Sequence, residues 1–340
     1  MVDSLIRFAL IGSGGIAQTH ILAFANTNMA QLVAVADLRR ESAEAVGAAL
    51  KCRAFGSVDE LLASNCHVDA AIVCTPPNTH ASICEKLSDA GVHVLCEKPI
   101  ALDLGEATKM IEQARGNETI LTMASKFRYT SDMIYAKQLV ASGVLGEILL
   151  FENTFAGHVD MSKRWNSIRA ISGGGVLIDN GTHAVDIVRY LLGPISSIQV
   201  IEGKRYQAIQ VEDTVRIHAK TDCGALAAID LSWSINKQTP WYVSIYGSRG
   251  TVLVGWKESK YKRCTDSDWI VFGSGYDKVQ AFTSQLNNFC NALCGIEPLL
   301  ITSQDALASA DAIDKAYESM RTNGWVAVNN HPLDVGGITS

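Results

Sequence analysis

Short apolar runs alternate with helix-like stretches through the first third of the chain, and that rhythm leaves little choice of fold. Ile6 to Ile11 reads as a buried strand, and a glycine turn then leads into a helix through about Asn26. Leu32 to Ala36 is a second run rich in β-branched residues, and it ends on Asp37 ahead of a helix at Glu41 to Leu50. Ala70 to Cys74, Val92 to Cys96 and Ile120 to Ala124 repeat the pattern, separated by helices at Thr79 to Ala90 and Leu104 to Ala114. Strands joined by helical crossovers pair in parallel, and the helices cover both faces of their sheet. The expectation is α/β: a doubly wound parallel sheet of the dinucleotide-binding kind.

The rhythm changes after about Ser125. A helix at Asp132 to Ala141 precedes an extended segment from Ile148 to Phe155, and a loop and a glycine run then lead to a helix from about Thr182 to Leu192. Strands follow one another from Ile195 to Trp256. Val215, Ile217 and Ala219 alternate there with Arg216, His218 and Lys220, the period of a sheet with one covered face. Helices at Lys278 to Cys294 and Gln304 to Met320 finish the chain. At 340 residues it is long for a single core. The division expected is a Rossmann domain over residues 1–125, an α+β domain with a largely antiparallel, open-faced sheet over 126–330, and a tail over 331–340.

A formal charge of −6 and the absence of basic clusters give no footprint for nucleic acid. None of the nine cysteines forms a C-x-x-C pair, and Cys290 and Cys294 read as small hydrophobes on a helix stripe rather than metal ligands. No metal site is expected. The start of the chain runs straight into the first strand, without room for a signal peptide, and no apolar run reaches the length of a membrane helix. A cytoplasmic protein that binds no membrane is the reading that follows.

Gly12-Ser13-Gly14-Gly15-Ile16-Ala17 lies between the first strand and the first helix. Gly12 permits a tight turn, Gly14 lets the backbone approach a pyrophosphate, and Ala17 lets helix and strand pack closely. Gly15 and Ile16 belong to the same cradle. Asp37, closing the second strand, is placed to bind a ribose 2′-hydroxyl and to repel a 2′-phosphate. That favours NAD, with NADP the alternative because Arg39 and Arg40 are close by. Thr75-Pro76-Pro77-Asn78-Thr79-His80 follows a strand's carboxyl end, where ligands of open α/β sheets bind. Thr75, Pro76, Asn78 and His80 are therefore cofactor candidates with Glu97 and Lys98, although a packing role is the competing reading of His80.

Lys98 sits at another strand end, between Glu97 and Pro99, and beside a nicotinamide cation it suits proton transfer to or from a hydroxyl. The second chemical motif is Gly173 through His183. It places Asp179 and His183 four residues apart, on one face of a helix beginning near them. Oxidising a carbinol needs a base for the O–H proton while hydride leaves from carbon. His183 suits that base, with Asp179 orienting it or the substrate. Asp186 reads as a supporting acid or as a surface one.

These four motifs, in this order, resemble the glucose–fructose oxidoreductase / inositol dehydrogenase / rhizopine-catabolism (Gfo/Idh/MocA) family, from Ile6 to about Val328. The resemblance implies pyridine-nucleotide-dependent oxidation or reduction of a sugar, cyclitol or related polyol. It implies that Lys98, Asp179 and His183 are catalytic, and that the Lys98–Pro99 bond is cis. Arg128, Tyr129, Trp165 and Asn166 fall where members of the family line the substrate pocket, alongside Lys98, Asp179 and His183. An open sheet of this kind is usually covered by another subunit, so a homodimer or homotetramer is expected. Two rival readings remain at this stage: a non-catalytic NAD(P)-binding sensor, and a redox-neutral enzyme that keeps its NAD tightly bound.

Overall fold

The structure, a computed structural model, describes residues 5–237 and 239–329. In chain order the first elements are β1 (Ile6–Ile11), α1 (Gly15–Phe24), β2 (Ala30–Ala36), α2 (Arg40–Leu50), β3 (Arg53–Phe55), α3 (Val58–Leu62), β4 (Ala70–Val73), α4 (His80–Asp89), β5 (His93–Glu97), α5 (Leu104–Gly116) and β6 (Leu121–Ala124). There follow α6 (Ser131–Ala141), β7 (Ile148–Ala156), the short α7 (Arg169–Ser172), α8 (Val176–Leu192), β8 (Ile195–Glu202), β9 (Thr214–Thr221) and β10 (Leu226–Ser232). The chain continues through β11 (Trp241–Gly247), β12 (Gly250–Gly255), β13 (Ser259–Arg263), β14 (Ile270–Gly273), α9 (Lys278–Leu293), α10 (Ser303–Thr322) and β15 (Val326–Ala327).

Six strands form a parallel sheet in the order β3-β2-β1-β4-β5-β6. The order reverses direction at β1 and β4, and the crevice beyond their carboxyl ends is where such sheets take ligands. Phe8, Ala9 and Leu10 in β1 are fully buried, as befits a strand covered on both faces. The first compact unit comprises residues up to Tyr129 together with Asp277–Ala306. Helix α9, read from the sequence as part of the second domain, packs in this first unit. Its Phe282, Leu286 and Phe289 join Phe8, Leu10 and Ile72 in one core, with the Phe8 and Phe289 rings 6.1 Å apart.

The second unit holds Thr130–Tyr276 and the chain from Leu307. Its sheet runs β14-β13-β12-β11-β7-β10-β9-β8-β15 among the described residues; β7 and β10 pair in parallel and the other neighbours antiparallel. Val215, Ile217 and Ala219 of β9 are buried while Arg216 and Lys220 are exposed. Helix α8 lies against β7, β9 and β10. It begins at Val176, about six residues before the Thr182 start read from the sequence. The reason is a cap that comes from elsewhere in the chain, described below. The expected tail at 331–340 lies outside the described residues.

Candidate active site

The dinucleotide turn is built as its glycines require. Gly12 adopts φ +88°, and a Cβ there would stand 3.0 Å from the Cys74 carbonyl and from the Thr75 side chain. Only glycine combines that backbone conformation with so close a neighbour. Beside Gly14 and Gly15 an added Cβ would meet nothing within 4 Å, so the turn opens onto free space. Helix α1 starts there with no side-chain cap and no acid in its first turn, which leaves its amide donors turned toward an anion. Ala17 is fully buried and Ile16 partly so. These features fit a dinucleotide pyrophosphate.

Asp37 is held by the same turn. Its Oδ2 accepts from the Ser13 backbone N–H at 2.8 Å and from the Ser13 hydroxyl at 2.6 Å, and its Oδ1 accepts from the Arg39 N–H at 2.8 Å. Burial alone would raise this carboxyl, but the Ser13 and Arg39 hydrogen bonds and the Arg39 charge outweigh it and hold the group below its usual value. The Arg39 guanidinium stays largely exposed, 3.7 Å from Asp37.

Farther along the sheet, the Thr79 hydroxyl lies 2.7 Å from Thr75 Oγ1 and 2.8 Å from the Pro76 carbonyl, and Asn78 is exposed in the turn that follows Pro76. His80 is buried, with Nδ1 2.9 Å from the Pro99 carbonyl and Nε2 2.9 Å from that of Thr75. It thereby ties the loop after β4 to the loop after β5, the packing role set against its cofactor role. The Lys98–Pro99 bond is cis. Glu97 is buried against His20 of α1, at 2.9 Å between Oε1 and Nε2.

Arg128 and Tyr129 are buried and have part-buried polar partners within the first unit. Arg128 donates to the Leu300 carbonyl at 3.2 Å and to Asp305 at 3.0 Å, and the Tyr129 hydroxyl donates to Asn288 at 3.0 Å. Burial would raise the Asp305 carboxyl, but the Arg128 charge and the Thr302 bonds hold it below its usual value.

In the second unit, Asp179 and His183 lie one turn apart on α8, Asp179 half-buried and His183 buried. Asp186 is fully buried, which removes the surface-acid reading. Trp165 and Asn166 sit in a 3₁₀ turn ahead of α7, with Trp165 40% exposed. The register of α8 comes from Glu212, fully buried, which the sequence reading missed. Its Oε1 accepts from the backbone N–H groups of Gly175 (2.8 Å) and Leu177 (3.2 Å) and from the Tyr317 hydroxyl (2.7 Å). A Cβ on Gly175 would lie 1.9 Å from the Glu212 carbonyl oxygen, and one on Gly174 would lie 1.8 Å from the Tyr317 hydroxyl. Those glycines exist so that a carboxylate can reach the helix end. His20 was missed too, though its place three residues after Ala17, on the same helical face, was a signal.

Among the described residues no group of three or more His, Cys, Asp or Glu is placed to hold a metal ion, and no helix is long and apolar enough to cross a membrane.

Comparison with known proteins agrees with this architecture. A family described as "Oxidoreductase family, NAD-binding Rossmann fold" matches residues 6–125, and the "GFO/IDH/MocA C-terminal domain" matches residues 133–253. An inositol 2-dehydrogenase of Rhizobium meliloti is 26% identical over 343 aligned positions, 95% of this chain and 99% of that protein. An uncharacterised oxidoreductase of Schizosaccharomyces pombe is 30% identical over 263, covering 73% of this chain and 70% of its own. Among solved structures, a levoglucosan dehydrogenase in complex with NADH and levoglucosan superposes with a TM-score of 0.89 at 21% identity, over 96% of this chain and all of that one (100%). With its NAD-binding Rossmann domain and its partner domain both matched, the chain belongs to the GFO/IDH/MocA family of oxidoreductases.

Proposed function

We propose that the protein is an NAD(H)-dependent dehydrogenase acting on a secondary alcohol, or the corresponding ketone, of a sugar, cyclitol or sugar derivative. The observation that carries this reading is the Asp179–His183 pair, held one turn apart on a helix whose start is fixed by a buried carboxylate. Lys98, after a buried strand end in the NAD-binding domain, supplies a second proton-handling group. The names of the similar proteins, inositol 2-dehydrogenase and levoglucosan dehydrogenase, supply the substrate class.

When bound, the nicotinamide accepts or returns the hydride. The Gly12–Ala17 turn and the α1 amides would hold its pyrophosphate, and Asp37 its adenosine ribose. His183 takes the hydroxyl proton during oxidation and Asp179 orients the imidazole or the hydroxyl, while Lys98 is assigned a proton-handling role of its own. Trp165 and Asn166 are assigned to the sugar, an aromatic face and an amide suiting a hydroxyl-rich ring. Arg128 and Tyr129, whose side chains already have polar partners within the first unit, are that unit's candidates for substrate contact. The open face of the second sheet is assigned to a second copy of the chain, as a homodimer or homotetramer.

The test is His183→Ala. Turnover should fall by about 10²- to 10⁴-fold, the usual contribution of a positioned acid–base group, while NADH affinity measured by fluorescence stays within a few-fold. Unchanged turnover removes His183 from the mechanism.

A further inference from the structure

Lys98 is flanked in the chain by two groups that buried histidines tie down. On one side, Glu97 Oε1 meets Nε2 of His20 at 2.9 Å, and its Oε2 accepts from the Lys98 backbone N–H at 3.2 Å. On the other side, the Pro99 carbonyl lies 2.9 Å from Nδ1 of His80. His20 is 1% exposed and Glu97 7%, so water does not solvate either group freely.

The proton of the first pair can be placed. His20 Nδ1 is buried with no hydrogen-bond partner among the described residues. A proton there would be stranded at a cost of about 1–3 kcal/mol, so the ring's proton belongs on Nε2, which donates it to Glu97. The pair as a whole therefore carries a negative charge. Burial would raise the Glu97 carboxyl, but the hydrogen bond from His20 and the charges of Lys98 and Lys126 hold the group below its usual value. The other titratable groups that feel this carboxylate are Cys74, Cys96 and His80. Burial holds both thiols well above their usual value, hence uncharged, and lowers His80.

We propose that His20 and Glu97 are positioning residues for Lys98: the imidazole holds a buried carboxylate at the root of the lysine, and that anion fixes the backbone there through the Lys98 N–H and acts through its field on the ammonium. Neither residue touches substrate. The proposal rests on the proton-handling role given to Lys98 above.

Competitive acylation with acetic anhydride, followed by peptide mass spectrometry across a pH series, reads the lysine without any substrate. Lys86, ion-paired with Asp59, is the internal reference. Glu97→Gln keeps an oxygen for His20 and removes the charge. It should lower the pH of half-labelling at Lys98 by about one unit and leave Lys86 unmoved. His20→Phe should move Lys98 in the same direction, and His20→Gln, which restores a donor, should bring it back toward wild type. Glu97→Gln labelled like wild type, or His20→Gln indistinguishable from His20→Phe, overturns the proposal. If His20→Phe fails to fold, the near-isosteric Glu97→Gln carries the test alone. A Lys98→Met variant that loses turnover, beside a Glu97→Gln variant labelled like wild type, would leave the catalytic reading standing and sink the positioning one.

Discussion

At the scale of single residues, cofactor choice turns on Asp37. Its carboxylate is fixed by Ser13 and Arg39, with the ionised form favoured. An anion fixed at the end of β2 accepts a ribose hydroxyl and opposes a phosphate on the same carbon. NADPH should therefore bind at least about tenfold more weakly than NADH in fluorescence titrations, and Asp37→Ser should narrow that gap while weakening NADH. Equal affinity for both in the wild type would contradict this. Because the carboxyl is held below its usual value, NADH affinity should stay flat down through weakly acidic pH and fall only once that lowered value is approached. Gly12, Gly14 and Asp37 were legible because glycine and aspartate at a strand end have local reasons to be there. Glu97 and His20 were not legible as a pair. They are 77 positions apart, and only the sheet brings them together.

At the scale of elements, α8 shows what local patterning omits. No side chain before Val176 offers a cap, so the sequence suggested a later start. The cap is Glu212, 37 residues farther on and placed by the sheet. Gly175→Ala should destabilise the protein by roughly 3 kcal/mol, since its methyl would collide with backbone rather than with a mobile side chain. Thermal unfolding would show this, and an unchanged Tm would contradict the helix start described. Tyr317→Phe removes one donor to Glu212 and should cost about 1 kcal/mol. Helix α9 teaches the complementary lesson. Its apolar stripe marked it as a buried helix, but a stripe does not name its partner, and Phe282, Leu286 and Phe289 pack into the first unit's core.

At the scale of the whole molecule, the alternation of strands and helices predicted the parallel sheet, whereas its order, β3-β2-β1-β4-β5-β6, comes from the structure and not from any local run. The second sheet was legible as largely antiparallel from its period-two runs, whereas the parallel pairing of β7 with β10 rests on contacts no local run records. Its open face places Leu150 and Leu226, 48% and 47% exposed, directly opposite each other. An exposed apolar pair of this kind invites a second sheet. Light scattering should find a dimer or tetramer, and Leu150→Glu combined with Leu226→Glu should yield smaller species with the NADH site intact. A monomeric wild type would refute that assignment.

The most direct test of the dehydrogenase reading is NADH formation across a panel of sugars and cyclitols, run in parallel on wild type and His183→Ala. The account predicts NAD reduction by wild type with at least one panel member, lost in His183→Ala while NADH still binds. Equal NAD reduction by both proteins would contradict it, as would a wild type whose NAD copurifies, never exchanges and is not reduced by any panel member.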